Sequence, residues 1–174
     1  MDMAWSIDKA HSEVGFQVKH MMISTVRGKF TAFDAELEVD PSQLSSAQVK
    51  ARIQAGSIDT HEPKRDAHLR SPDFFDAEKY PVLSFTSTQV SGSPEDVVVE
   101  GALKIRDQEH PITLKGEITG PTKDPWGNTR LGFSLTGEIE RERWGLGWNQ
   151  ALEAGGVLVG KKVKIVLEGE LVQT

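Results

Sequence analysis

Cysteine is absent from all 174 residues. That excludes disulfide scaffolds, thiolate zinc sites, iron–sulfur clusters and cysteine nucleophiles together. Positive charge is in deficit, with 20 Lys and Arg against 26 Asp and Glu and a formal net charge of −6. A nucleic-acid binder needs a basic stripe, so that class of partner is set aside. No apolar run approaches the ~18–20 residues of a membrane-spanning helix. The opening Met1-Asp2-Met3-Ala4-Trp5-Ser6 has neither a basic n-region nor an apolar h-region. It predicts a cytoplasmic protein, or a periplasmic one if a leader has been removed. Nucleotide and hydrolase signatures are missing too. Gly145-Leu146-Gly147 lacks a third glycine and a βαβ context, and no P-loop, Gly-x-Ser-x-Gly or His-Glu-x-x-His occurs.

What the chain does have is alternation, the period-two mark of half-buried strands. Val14, Phe16 and Val18 alternate with Gly15, Gln17 and Lys19. Phe33, Ala35, Leu37 and Val39 form a second run, and Val49, Ala51, Ile53 and Ala55 a third. Val97, Val99, Leu103 and Ile105, then Ile112, Leu114 and Ile118, continue the pattern. Leu131, Phe133, Leu135 and Ile139 follow, and Val163, Ile165, Leu167 and Leu171 close it. Val82–Val90 fits a strand with either face inward. Turn formers at Ser91–Pro94, Arg106–Glu109 and Gly120–Pro125 separate the runs. No linker or repeat divides the chain, so residues 1–174 read as one domain. About eight strands, each with one apolar face, must hide that face in a sandwich or a closed barrel. Consecutive hairpins favour an all-β, eight-stranded antiparallel up-and-down barrel, whose interior either fills with side chains or holds one small ligand.

Between Thr60 and Tyr80 the rhythm breaks. Pro63 can begin one helical segment, and Ser71-Pro72 a second with Ser71 as N-cap. Leu69, Phe74 and Phe75 there need an apolar surface, which a short helical plug over a barrel mouth, between strands 3 and 4, would supply. Small residues at Ala47, Ala51, Ala55 and Gly101 would leave space inside. An empty void costs ~24 cal/mol per Å³, which points to an occupied one.

Polar candidates are few. His20 continues the Val14–Val18 face and reads first as a buried neutral histidine, then as a group receiving a ligand head. His61, Glu62, Asp66 and His68 cluster without a diagnostic metal spacing, so no metal and no cofactor is expected. Asp66 reads more simply as paired with Arg65 or a distant arginine. Arg141 and Arg143 around Glu142 read as surface charges near a loop, and Trp144 and Trp148 as packing for a barrel end.

The ordered series Trp5-x-Ile7-Asp8-x-x-His11-Ser12-x-x-Gly15-Phe16-x-x-x-His20 resembles the YceI-like, polyisoprenoid-binding family. The resemblance continues through Gly28-x-Phe30, Ser57-Ile58-Asp59-Thr60, Arg65-Asp66-x-His68-Leu69, Phe74-Phe75-Asp76 and Tyr80-Pro81-x-x-x-Phe85. Gly101-x-Leu103, Arg130-x-x-Phe133 and Arg141-x-x-x-Gly145 complete it. It implies a lipocalin-like barrel, often a homodimer, enclosing a long isoprenoid or similar lipid, with no catalytic residue. The expected lining is Phe16, Val18, Phe33, Leu37, Ala51 and Ile53 on the first strands, with Phe30 beside them. Phe85, Leu103, Phe133 and Leu135 line the later strands, and Leu69, Phe74 and Phe75 the plug. His20, with Asp8 or His11, would meet the head group. The alternative is an enzyme acting on an apolar substrate, with His11, His20, Asp66 or His68 as acid–base groups.

Overall fold

The structure, a computed structural model, describes residues 4–152 and 158–174. Among them are eleven strands. They are β1 (Ala4–Ile7), β2 (Glu13–His20), β3 (Ser24–Phe30), β4 (Phe33–Glu38), β5 (Gln48–Gln54) and β6 (Ile58–Asp59). Then come β7 (Val82–Ser93), β8 (Asp96–Ile105), β9 (Gln108–Lys123), β10 (Thr129–Glu140) and β11 (Val159–Gln173). All ladders are antiparallel, and β11 pairs with β1 as well as β2. Three pairs of short strands are single walls with a break in them. A 3-10 turn at Lys9–His11 separates β1 from β2, a bend at Thr31–Ala32 separates β3 from β4, and a second 3-10 turn separates β5 from β6. β2 pairs with β3 while β1 pairs with β4, and β3 pairs with β6 while β4 pairs with β5. The result is a closed eight-walled up-and-down barrel.

The inward faces follow the sequence pattern. Val97, Val99, Leu103 and Ile105 of β8 are buried, as are Ile112 and Leu114 of β9. The ambiguous strand β7 carries Leu83 and Phe85 inward at odd positions and Val90 inward at an even one. A register shift between Ser87 and Gln89 flips the phase, which is why one alternation could not describe it. Gly101 leaves no space. An added Cβ would lie 2.5 Å from Phe85 Cζ and 2.5 Å from the Thr86 carbonyl oxygen, so the Phe85 ring already occupies that position. Gly28 stands in the same relation to Phe16. Gly120–Lys123 is strand, not turn. β9 runs on to Lys123, with a bulge near Arg130 and Gly132 absorbing Gly120 at φ 108, and the turn falls at residues 124–128.

The plug holds one helix, α1 (Pro63–Arg70), with Pro63 in its first turn and Glu62 accepting from Lys64 N–H. The second helix expected at Ser71-Pro72 does not form. Ser71 is the C-cap of α1, its hydroxyl donating to His68 O at 2.5 Å. The chain after it turns repeatedly, with Asp76 at φ 47 ending any helical path. Asp66 is buried, but its partner is not arginine. It accepts from Thr60 N–H and Oγ1–H at 2.9 and 2.5 Å, while Arg65 donates to Thr60 Oγ1 and O. Thr60 thus fastens α1 to the end of β6.

Candidate functional site

A cavity of about 290 Å³ runs inside the barrel. Its walls are hydrocarbon from every long strand, and its ends are set by Val39, Leu44 and Ala47 on one side and by Leu69, Phe74 and Phe75 of the plug on the other. Phe16, Val18, Phe30, Phe33, Leu37, Ala51 and Ile53 all line it. So do Phe85, Leu103, Phe133 and Leu135. Of the small residues, Ala47 and Ala51 face the void, whereas Ala55 is packed away at 0% exposure and lines nothing. The inward residues divide into two groups. Those of β7 and β8, with Ile112 and Leu114 of β9, are buried, whereas Phe16, Val18, Leu37, Ala51, Phe133, Leu135, Ile165 and Leu167 are only half-buried while pointing inward. Their accessible area faces the cavity, so the open space lies against β2, β4, β5, β10 and β11.

His20 is not on this lining. It ends β2, half-buried, opposite Ser24 and Val159. Nor do Asp8 and His11 reach the cavity. Asp8 accepts from Arg130 Nη1 at 2.7 Å and contacts His11 Nδ1 at 2.8 Å, while Arg130 Nε donates to Asp124 at 2.8 Å. Arg130 first, then His11, holds the Asp8 carboxyl down at about 2. Arg130 likewise holds Asp124 down at about 2, and the two carboxylates raise Arg130 in return. Asp8, His11 and Glu170 are close enough to share a cation, but the Arg130 guanidinium, 3.3 Å from Glu170, supplies the positive charge there.

The other acid–base candidates do not converge. His68 Nε2 lies 2.8 Å from Asp73 and packs edge-on against Phe74 and Trp148. His61 is exposed near Asp59, and Asp66 serves Thr60. They form no shared site with Glu62 among the described residues.

The residue that sequence reasoning placed wrongly is Arg141. It is no surface charge: it is 3% exposed and lines the cavity at the plug end. A 3-10 turn at Arg141–Trp144 carries it inward. Its Nε donates to Gly160 O at 2.8 Å, Nη1 to the carbonyls of Leu146 and Trp148, and Nη2 to Val159 O at 3.2 Å. Burial lowers its pKa from the ordinary arginine value, with the Glu142 carboxylate opposing that shift. The ring of Phe74 lies 5.9 Å from the guanidinium carbon. Trp144 is fully buried and donates to Leu103 O at 2.8 Å, packing this end as expected.

A closed antiparallel barrel around an apolar cavity defines a small lipocalin-like barrel protein. The YceI-like domain matches residues 5–171, and the chain belongs to that family. It is 40% identical over 167 residues to a UPF0312 protein of Staphylococcus epidermidis, covering 95% of each chain. A UPF0312 protein of Staphylococcus aureus is 38% identical over the same length, again covering 95% of each. Among solved structures, a Campylobacter jejuni YCEI protein superposes with a TM-score of 0.75 at 30% identity, covering 97% of this chain and 96% of its own. BcnA of Burkholderia cenocepacia gives a TM-score of 0.82 at 22% identity, with 97% and 99% covered. A polyisoprenoid binding domain from Saccharophagus degradans gives 0.72 at 15% identity, with 99% of each covered. The last two show the fold.

Proposed function

We propose that this protein holds one long isoprenoid lipid, of the polyprenyl or isoprenoid-quinone type, in its barrel as a carrier or store. The cavity carries this reading. At ~24 cal/mol per Å³, 290 Å³ of unfilled apolar space would cost about 7 kcal/mol. A domain has roughly 5–15 kcal/mol of net stability, so an empty barrel would forfeit a large part of it. Water does not relieve that cost, because hydrocarbon walls offer it no hydrogen-bond partners. An apolar chain does, gaining ~25 cal/mol for each Å² it removes from water. The Saccharophagus degradans domain, described as polyisoprenoid-binding, supports the chemical class. The cavity surface is hydrocarbon and the Arg141 guanidinium is held by four backbone carbonyls, so the reading rests on the apolar chain and not on a head-group site at Arg141 or His20. The acid–base set His11, His20, Asp66 and His68 lies off the lining, which favours holding a lipid over converting one. Native mass spectrometry of the purified protein, with organic extraction, should find one isoprenoid lipid per barrel. A barrel that is empty and takes up no polyprenol in titration overturns the proposal.

A further inference from the structure

We propose that the β2–β3 hairpin tip, Met21-Met22-Ile23, docks the plug end of the barrel onto an anionic lipid bilayer. Four large hydrophobic residues are exposed among those described. Three are consecutive here: Met21 at 42%, Met22 at 62% and Ile23 at 83%. The fourth, Trp126, lies in the β9–β10 turn at the other end of the barrel. Turn chemistry does not explain the tip. Ile23 N–H donates to His20 O at 3.2 Å across a turn with Met21 at φ 52 and Met22 at φ 63. That turn relaxes with Asn-Gly, whereas L-side chains are strained at both positions. Two thioethers in strained, solvated positions point to a use for them outside the fold.

Charge supports the choice of partner. Residues 14–33 contain Lys19, Arg27 and Lys29 and no Asp or Glu, in a chain of net charge −6. The adjoining strand β11 adds Lys161, Lys162 and Lys164; Glu140 and Glu138 lie across the ladder from Lys162 and Lys164, and among the described residues their one ion pair is the exposed Glu138–Lys162 contact at 3.6 Å. An apolar tip with a basic flank combines the two signals that stable binding to an anionic membrane surface requires. The tip is also continuous with the cavity. Val18 and Val159 line it, Val159 pairs with His20, and Met21 N–H donates to Leu158 O at 2.8 Å. A lipid entering beside this lip would pass from bilayer to barrel with little exposure to water.

The purpose of docking rests on the lipid-carrier reading, but its measurement does not. The full chain is sedimented with phosphatidylcholine vesicles, with and without phosphatidylglycerol, and its lipid content is extracted separately. Wild type should bind the phosphatidylglycerol vesicles and release in high salt. Met22→Asp with Ile23→Asp should lower partitioning about tenfold or more. Lys161→Glu with Lys162→Glu should weaken it at low salt only. All these positions are exposed, and unchanged circular dichroism confirms folding. Wild-type protein that ignores anionic vesicles, or tip variants that bind as well as wild type, overturns the proposal. So does a tip whose substitution dissolves a dimer of this chain and leaves vesicle binding intact. An empty barrel that still binds vesicles refutes the lipid cargo and leaves docking standing.

Discussion

Ala51→Phe separates a true cavity from a loosely drawn core, because the two predict opposite signs. Ala51 sits on β5 between Ala35 of β4 and Phe85 of β7, with its methyl group on the cavity lining. A phenylalanine adds roughly 100 Å³ of side chain there, about a third of the space available, and recovers about 2.4 kcal/mol of the cavity cost. In a domain of this length each kcal/mol moves Tm by ~2–4 °C, so the lipid-free variant should melt ~5–10 °C above lipid-free wild type. A filled core behaves in the opposite way. Extra methylenes force neighbours off their rotamers and destabilise by about 1–3 kcal/mol. The assay strips both proteins with organic solvent, follows urea and thermal unfolding, and weighs the lipid extracted from parallel unstripped samples. The variant should be more stable when empty and should carry less lipid. A variant less stable than wild type, with its lipid load unchanged, refutes the reasoning.

Two further outcomes follow from the polar groups. Arg141→Met should cost about 3–5 kcal/mol in urea denaturation, because it strips donors from four carbonyl oxygens beside an apolar cavity. A loss under about 1 kcal/mol would mean the guanidinium does not hold the carbonyls of Leu146, Trp148, Val159 and Gly160 in place. Asp8 and Asp124 have folded-state pKa values of about 2, below their ordinary 3.8. Between those values the unfolded chain binds more protons, so stability rises with pH there. Their contribution is complete above about pH 4–5 and is lost as the pH falls through about 2. Arg130→Gln should flatten that acid limb, visible as a smaller difference in urea midpoint between pH 5 and pH 3.

The inward faces were legible because a strand repeats every two residues and apolar side chains mark one parity. Legibility failed where that parity was interrupted or carried by glycine. β3 escaped notice because its inward set is Val26, Gly28 and Phe30, and the glycine reads as a gap while the structure fills it with the Phe16 ring. The phase of β7 was hidden by its bulge. Gly101 was read as space for the same reason that Gly28 was overlooked: composition shows the missing side chain and not the aromatic ring that replaces it. Arg141 was missed on physical grounds. Its neighbours Glu140, Glu142 and Arg143 are exposed, so local composition describes a surface, and the 3-10 turn that rotates one residue inward has no periodic signature. His20 failed in the opposite way, since β2 alternation places it inward and the strand ends before the cavity reaches it.

The two ends of the barrel are closed by different physics, and that difference assigns them different work. At the end near the termini, Trp5, Val39 and Leu44 are buried together, with Trp5 Nε1–H donating to Val39 O at 2.9 Å. Opening that end would expose packed hydrocarbon and break a buried hydrogen bond. At the plug end the β10–β11 ladder stops at the Glu140–Lys162 pair. Beyond it the side chain of Arg141 takes over from the missing ladder, donating to Leu146 and Trp148 on the outgoing chain and to Val159 and Gly160 on the returning one. On the lipid-carrier reading proposed above, a hub of this kind suits a lip that holds and still exchanges cargo. Its bonds are charge-assisted, and Asn149 adds a second clasp, Nδ2 donating to Val159 O at 2.8 Å and Oδ1 accepting from Val159 N–H at 3.0 Å, in place of a continuous ladder. The strained Met21-Met22 turn hangs on the same segment through the Met21 N–H bond to Leu158 O, so a membrane that draws the tip outward pulls directly on the chain that Arg141 holds.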